Sequence, residues 1–267
     1  MEKIFIGKDN ATYQQICALK DNRTKRTQTG LFFVEGIQNI KDALNNNWEI
    51  EAFIYSKTAT LSDWAKGVIG KANKNYVLEQ NLMERLSDKE DTSELLAIIK
   101  MKGKPEIVKP ANPVYVLLDR PSKKGNLGTI LRSCDALKVN QVFYSGHAVD
   151  IYDHAVITAS MGSFFKLPIR FVGSNAEFIN LITELKSQYK NLQVVGTSLQ
   201  TDHLVQRQDF TVPTLLLVGN EAEGLNKFYV ENADALVKID MRDGIDSLNI
   251  ACATSICLYE ITRQRKS

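Results

Sequence analysis

One stretch near the end of this chain restricts its possible folds more than any other: Ser247-Leu-Asn-Ile-Ala-Cys-Ala-Thr-Ser-Ile-Cys-Leu-Tyr-Glu260. It reads as a helix opening with a polar first turn. Asp246 or Ser247 is positioned to cap it, since a short side-chain oxygen accepts from the free N–H groups there. Beyond Asn249 the residues are apolar or small almost all the way round: Ile250, Ala251, Cys252, Ala253, Ile256, Cys257 and Leu258. A helix without a wet face is buried on more than one side. The fold must therefore offer it a sheet on one flank and a second layer or a partner chain on the other. Taken alone it is simply a core helix.

The rest of the chain supplies such a sheet. Short apolar strands alternate with amphipathic segments from residue 31 onward, which indicates an α/β protein with a mostly parallel sheet covered on both faces. In the first part, a helix over residues 9–20 precedes a basic, aperiodic segment, Lys20 to Thr29, that reads as a flexible loop. Strands at 31–36, 50–55, 76–78 and 95–100 follow, with helices at 37–46, 61–71 and 80–86. Lys102-Gly-Lys-Pro-Glu-Ile-Val-Lys-Pro-Ala-Asn-Pro113 carries three prolines and a glycine and disfavours element interiors, so the boundary falls near residue 106. The two domains expected are 1–106 and 107–267. In the second, strand 114–119 leads through a glycine-rich turn, Lys123 to Gly128, into a helix over 129–137. Strands at 141–144, 168–172, 192–197, 214–218 and 235–239 alternate with helices to the end.

Composition narrows the class. A chain of 267 residues with 44% hydrophobic and 24% charged residues suits a globular protein of one large or two ordinary domains. No apolar run is long enough to span a membrane, and the amino-terminal residues lack a signal peptide's apolar core. Cys17, Cys134, Cys252 and Cys257 are scattered and suit a reduced, cytoplasmic setting. His147, His154 and His203 have no ligand-like spacing with them, so no metal is expected. A formal charge of +2 neither favours nor opposes nucleic acid. Locally, Lys20, Arg23, Lys25 and Arg26 form a cluster suited to a phosphate backbone.

Ligands of open α/β sheets bind beyond the carboxyl ends of the strands. Three glycine-bearing polar segments are expected there: Gly125 to Gly128, Gly219 to Gly224, and Met241 to Asn249. A nucleotide-cofactor enzyme is the obvious rival, but the full G-x-G-x-x-G spacing and its distal acid are missing. No P-loop sequence and no G-x-S-x-G are present.

The three segments together carry a resemblance. Asn126-Leu-Gly-Thr-Ile-Leu-Arg132-Ser, then Val218-Gly-Asn-Glu-Ala-Glu-Gly-Leu225, then Ser247 to Glu260 resemble, in order, the three motifs of the SpoU (TrmH-like) RNA 2′-O-ribose methyltransferases. The match covers about residues 107–267. Phe33-Val-Glu-Gly36 gives the first domain a looser similarity to the ribosomal-protein-like substrate-binding domain of rRNA-directed members. The resemblance implies a SPOUT-type parallel sheet whose C-terminal segment is tied in a deep trefoil knot, dimerisation through that region, and S-adenosylmethionine as cofactor. It implies cofactor contacts at Thr197, Gly219, Ile239 and Leu248, and a catalytic and RNA-facing set of Asn126, Arg132, Glu221, Ser247 and Asn249. The substrate implied is RNA, with rRNA favoured over tRNA. An inactive relative serving ribosome assembly is the alternative. Two stretches depart from the family pattern: Ile239-Asp-Met-Arg-Asp-Gly244 replaces the usual Ile-Pro-Met-x-Gly, and Arg120-Pro-Ser-Lys-Lys-Gly125 lacks the common Asp-Pro.

Overall fold

In the computed structural model, residues 2–8, 10–87, 91–242, 244 and 247–265 are described. The chain divides into two compact units, residues 1–103 with 150–166, and residues 104–149 with 167–267. The crossing at 103 lies close to the expected boundary. Residues 150–166, expected with the second domain, belong to the first unit instead.

The first unit begins with an unexpected strand, β1 (Glu2–Ile6), followed by α1 (Ala11–Asp21), α2 (Arg23–Thr29), β2 (Leu31–Glu35), α3 (Ile37–Asn45), β3 (Ile50–Ser56), α4 (Asp63–Val68), β4 (Lys74–Leu78), α5 (Gln80–Leu86) and β5 (Leu96–Lys100). The sheet order is β1-β4-β3-β5-β2, parallel except where β5 runs against β3 and β2. Ile16, Leu19, Phe33, Ile54, Leu82 and Leu86 fill one face.

The expected loop at 20–29 is a correction. Asn22 accepts from the backbone N–H of Lys25, and Gly30 closes the helix in the left-handed region at φ 66°, so the segment is α2. Its only buried residue is Arg26, which is why no apolar period announces it. Arg26 is 1% exposed and Lys20 8%. The Arg26 guanidinium donates to Asp150 Oδ2 at 2.7 Å, Asp153 Oδ2 at 3.5 Å, and the carbonyls of Leu19 and Lys20 at 2.9 and 2.7 Å. A buried guanidinium needs such partners, and these tie residues 150–166 into the first unit. Trp48 donates from its indole nitrogen to the Phe165 carbonyl at 2.9 Å, and Phe32, Trp48, Phe164 and Phe165 pack ring against ring.

The second unit contains β6 (Val114–Asp119), α6 (Lys124–Ala136) and β7 (Gln141–Ser145). After α7 (His154–Ser160), which belongs to the first unit, come β8 (Ile169–Val172), α8 (Asn175–Gln188), β9 (Gln193–Thr197), β10 (Thr214–Val218), α9 (Lys227–Glu231), β11 (Ala235–Val237) and α10 (Ile250–Gln264). All six strands are parallel, in the order β11-β9-β10-β6-β7-β8. Strands buried on both faces read as unbroken apolar runs, as in Val114 to Leu118 and Leu215 to Val218.

Two local expectations change here. The glycine-rich turn at 123–128 is helical, since α6 starts at Lys124 and takes in both glycines. The cap of α10 is Asn249, whose Oδ1 accepts from the Ala251 N–H at 2.8 Å. Of the two caps expected, Ser247 lies outside the helix and Asp246 lies outside the described residues. The helix buries Ile250, Ala251, Thr254, Cys257, Leu258 and Ile261, but leaves Cys252, Ile256 and Tyr259 exposed along its other side. Among the described residues, no helix is long and apolar enough to cross a membrane.

Candidate active site

Because every strand of the second sheet runs the same way, Asp119, Thr197, Val218 and Val237 end at one edge. A cavity of about 470 Å³ opens there, a size usual for a small-molecule site. Thr197, Gly219, Ile239 and Leu248, the four expected cofactor contacts, all line it. Val218, Leu225, Val237 and Ile250 give it apolar walls, with backbone and polar groups from Asn220, Glu221 and Ser247 at its margin. Apolar walls for a ring system and a few polar groups to orient it are what S-adenosylmethionine requires.

The loop after β10 is folded back tightly on itself. The Asn220 N–H donates to the Gly224 carbonyl at 2.9 Å, and the Gly224 N–H returns a bond to the Asn220 carbonyl at 3.0 Å. Asn220 Oδ1 accepts from the backbone of Ala222 at 2.8 Å and Glu223 at 3.2 Å. Gly224 sits at φ 71°, where a side chain would be strained. A Cβ on Gly219 would lie 2.2 Å from the Leu225 nitrogen, so only glycine lets the loop close.

This turn places Glu221 against the start of α6. Its Oε2 accepts from the Ser122 N–H at 3.1 Å and the Ser122 hydroxyl at 2.6 Å. Oε1 accepts from the Lys123 N–H at 3.2 Å and from Asn126 Nδ2 at 3.3 Å. Asn249 Nδ2 in turn donates to Asn126 Oδ1 at 3.1 Å, while its own Oδ1 caps α10. A chain of hydrogen bonds thus runs from carboxylate through two amides to a helix N-terminus, fixing both amide orientations. Burial pushes the Glu221 carboxyl up, but the bonds from Ser122, the backbone and Asn126 outweigh it, and the net value falls below the ordinary 4.5.

The sequence-derived set is therefore only partly assembled. Asn126, Glu221 and Asn249 form one network, and Ser247 lines the cavity. Arg132 does not join them. It lies in the third turn of α6, on an exposed stripe with Gly125, Thr129 and Ala136, and it does not line the cavity. On the first unit, Arg23 is exposed and Lys25 half-buried, whereas Lys20 and Arg26 are turned inward. Sequence reasoning missed Ser122 and Lys123, whose roles run largely through backbone N–H groups, and Asn220, which shapes the loop. The only signal for the first two was that they fall in the stretch that departs from the family pattern. Among the described residues, no group of three or more His, Cys, Asp or Glu side chains is placed to hold a metal.

Comparison with known proteins bears on this geometry. The model of the SpoU rRNA methylase family matches residues 113–259, and that of the SpoU L30e-like domain matches residues 10–97. The chain belongs to the SpoU rRNA methylase family. It is 36% identical over 266 residues to the 23S rRNA (uridine(2479)-2′-O)-methyltransferase of Streptomyces viridochromogenes, covering 98% of this chain and 93% of that protein. The crystal structure of the SpoU methyltransferase AviRb from the same organism, in complex with the cofactor AdoMet, superposes with a TM-score of 0.91 at 36% identity, covering 97% of this chain and 99% of that one. The A. aeolicus TrmH/SpoU tRNA modifying enzyme is 32% identical with a TM-score of 0.51, and the match covers 58% of this chain and 76% of that one.

Proposed function

We propose that this chain, an S-adenosylmethionine-dependent RNA 2′-O-methyltransferase, methylates a ribose 2′-hydroxyl in large-subunit rRNA. The observation that carries the reading is the Glu221–Asn126–Asn249 network at the rim of the cavity that Thr197, Gly219, Ile239 and Leu248 line. An intact network also argues against an inactive relative. Ribosomal RNA is favoured over tRNA because the first unit has its own family match, while the tRNA-modifying relative matches little more than half of the chain. The uridine named for the 36% identical relative makes uridine the first base to map.

S-adenosylmethionine, when bound, supplies a methyl group on a sulfonium leaving group. The protein's task is to hold the 2′-oxygen in line with it, and positioning of that kind supplies roughly 7–11 kcal/mol. Asn126, with its amide fixed from both sides, retains one N–H to orient that oxygen. Glu221 does not serve as the base: four donors occupy its oxygens and its carboxyl titrates below the ordinary range. Guanidinium hardly deprotonates in proteins, so Arg132 is assigned to an RNA phosphate, and the proton passes to phosphate or water.

The first unit, residues 1–103 with 150–166, is proposed to bind the RNA substrate, with Arg23 and Lys25 as the cationic contacts, and the second, residues 104–149 with 167–267, to form the methyltransferase domain. The exposed edge of α10, with Ile256 at 40% and Tyr259 at 63% exposure, supports a homodimer that covers it. The knot implied by family resemblance fits a cavity drawn from segments as far apart as Thr197 and Cys257. A cytoplasmic location accompanies the rRNA substrate. Mass mapping of ribose methylations in rRNA and tRNA from a strain lacking the gene tests the reading. Loss of one 23S methylation, restored by the wild-type gene and less completely by Glu221→Gln, is expected; an unchanged rRNA map with a lost tRNA methylation would overturn the substrate.

A further inference from the structure

Arg120 is one of four non-glycine residues with positive φ among the described residues, and the only one of them at the edge where the cavity opens: β6 ends at Asp119 and Arg120 follows at φ 51°. An arginine accepts that conformation only where surrounding bonds over-determine it, and such residues gather at functional sites. Here both its backbone and its side chain are engaged. Its carbonyl accepts from Asn220 Nδ2 at 2.7 Å, and its own N–H donates to the Ser145 carbonyl at 3.1 Å. The guanidinium grips Asp119 side-on through Nε and Nη2, each at 3.0 Å, pairs with Glu223, and donates to the Gly224 carbonyl at 3.3 Å. Asp119 is 1% exposed and also accepts from the Asn226 N–H at 2.9 Å. Every one of these links ends on the loop that carries Glu221, or on the strand ends beneath it.

We infer that Arg120 is a positioning residue for methyl transfer: it latches residues 220–226 onto the end of β6, so that Glu221 stays seated on Ser122, Lys123 and Asn126 while the same loop forms a wall of the cofactor cavity. The inference rests on the site reading above. Arg120 touches no reacting atom in that arrangement and acts through Glu223, Gly224 and Asn220. Arg120 opens the stretch, Arg120 to Gly125, that lacks the common Asp-Pro of the family pattern. The planar fork is needed for the side-on pair, and a point charge on a flexible stem does not reproduce it.

A latch of this kind governs two readouts together, because one loop serves both cavity and network. Arg120→Ala is expected to raise the KM for S-adenosylmethionine about tenfold and to lower kcat about tenfold, together on the order of the hundredfold that a misplacement of about 1 Å costs. Arg120→Lys should recover less than half of that loss on a logarithmic scale. Arg263→Ala, which removes the half-exposed guanidinium paired with the largely buried Glu260 carboxylate on α10, serves as the structural control. It should leave KM and the kcat of the folded fraction unchanged. The assay is methyl transfer to rRNA fragments over a range of cofactor concentrations, with the folded fraction measured by near-UV circular dichroism. If Arg120→Ala only lowers the folded fraction, with KM and corrected kcat at wild-type values, or if Arg120→Lys is fully active, the latch is wrong. Glu221→Gln, run in parallel, separates that failure from a misplaced site: loss of turnover in Glu221→Gln beside a normal Arg120→Ala sinks the latch alone, whereas normal turnover in both sinks the site and the latch with it.

Discussion

The Glu221→Gln substitution is the most exacting test of the proposed site, because it keeps shape and removes one property. The wild-type carboxylate accepts four hydrogen bonds, two at each oxygen. Glutamine accepts at one oxygen only and presents an NH₂ at the other. If the NH₂ takes the Oε2 position it faces the Ser122 N–H, donor against donor; the Ser122 hydroxyl can turn to accept. If it takes the Oε1 position it faces both the Lys123 N–H and Asn126 Nδ2, and Asn126 must flip away from Asn249. The first arrangement costs less. It loses one backbone bond and the charge assistance of the remaining ones, about 1–3 kcal/mol for a site that is partly open to water. At 1.36 kcal/mol per factor of ten, a loss of that size felt wholly at Asn126 slows transfer by roughly 5- to 150-fold. Single-turnover transfer to rRNA measures it. The acid side supplies a second check with a defined sign. A carboxyl whose folded value lies below its ordinary 4.5 contributes stability that is fully present above that value and is lost as pH falls through the lower, folded one. Wild-type stability should therefore fall on acidification below about pH 5 more steeply than that of Glu221→Gln. Wild-type turnover by the variant, with superimposable acid unfolding curves, would refute both the network and the role of the carboxylate.

Three further outcomes follow from other parts of the molecule. Gly219→Ala places a Cβ within 2.2 Å of the Leu225 nitrogen and 2.3 Å of the Gly224 carbonyl carbon, so calorimetry should show S-adenosylmethionine binding abolished or weakened by at least about tenfold while far-UV circular dichroism is retained. Arg26→Ala removes the buried guanidinium that meets the largely buried Asp150 carboxylate at 2.7 Å and should destabilise the protein by about 3–5 kcal/mol in urea melts, without affecting cofactor affinity once folded. Arg23→Gln with Lys25→Gln should weaken RNA binding and reduce its log–log salt slope by up to about two, one for each phosphate no longer neutralised; an unchanged slope would move the RNA surface elsewhere.

Much of the fold can be read from the residues because parallel strands buried on both faces announce themselves. Val114 to Leu118 and Leu215 to Val218 are unbroken apolar runs, and the helices between them carry ordinary periodicity. What escapes such reading has a common cause: polar residues with tertiary rather than local partners. The sequence Arg-Thr-Lys-Arg-Thr-Gln-Thr of α2 has no apolar face, because the residue it buries is Arg26, and the carboxylates that make this possible lie 124 and 127 residues away. The same distant pairing explains why residues 150–166 join the first unit although the alternation of strands and helices assigns them to the second. β1 escapes notice because Lys3-Ile-Phe-Ile is short and its parallel partner, β4, begins at Lys74.

The candidate site is legible in a different and more limited way. Motif resemblance names Asn126, Glu221 and Asn249, yet spacing alone cannot show that they touch, since 95 and 123 residues separate the bonded pairs. Nor can it distinguish a carboxylate acting as a base from one that anchors its neighbours. That distinction depends on how many donors converge on the two oxygens, and half of the four come from the backbone N–H groups of Ser122 and Lys123, which no residue type encodes. A saturated carboxylate beside a doubly held amide makes this a rim built for orientation more than for proton withdrawal. Its chemistry then depends on how rigidly the loop from Gly219 to Leu225 is held, and the residue best placed to hold it, Arg120, sits in a stretch where this chain leaves its family's pattern.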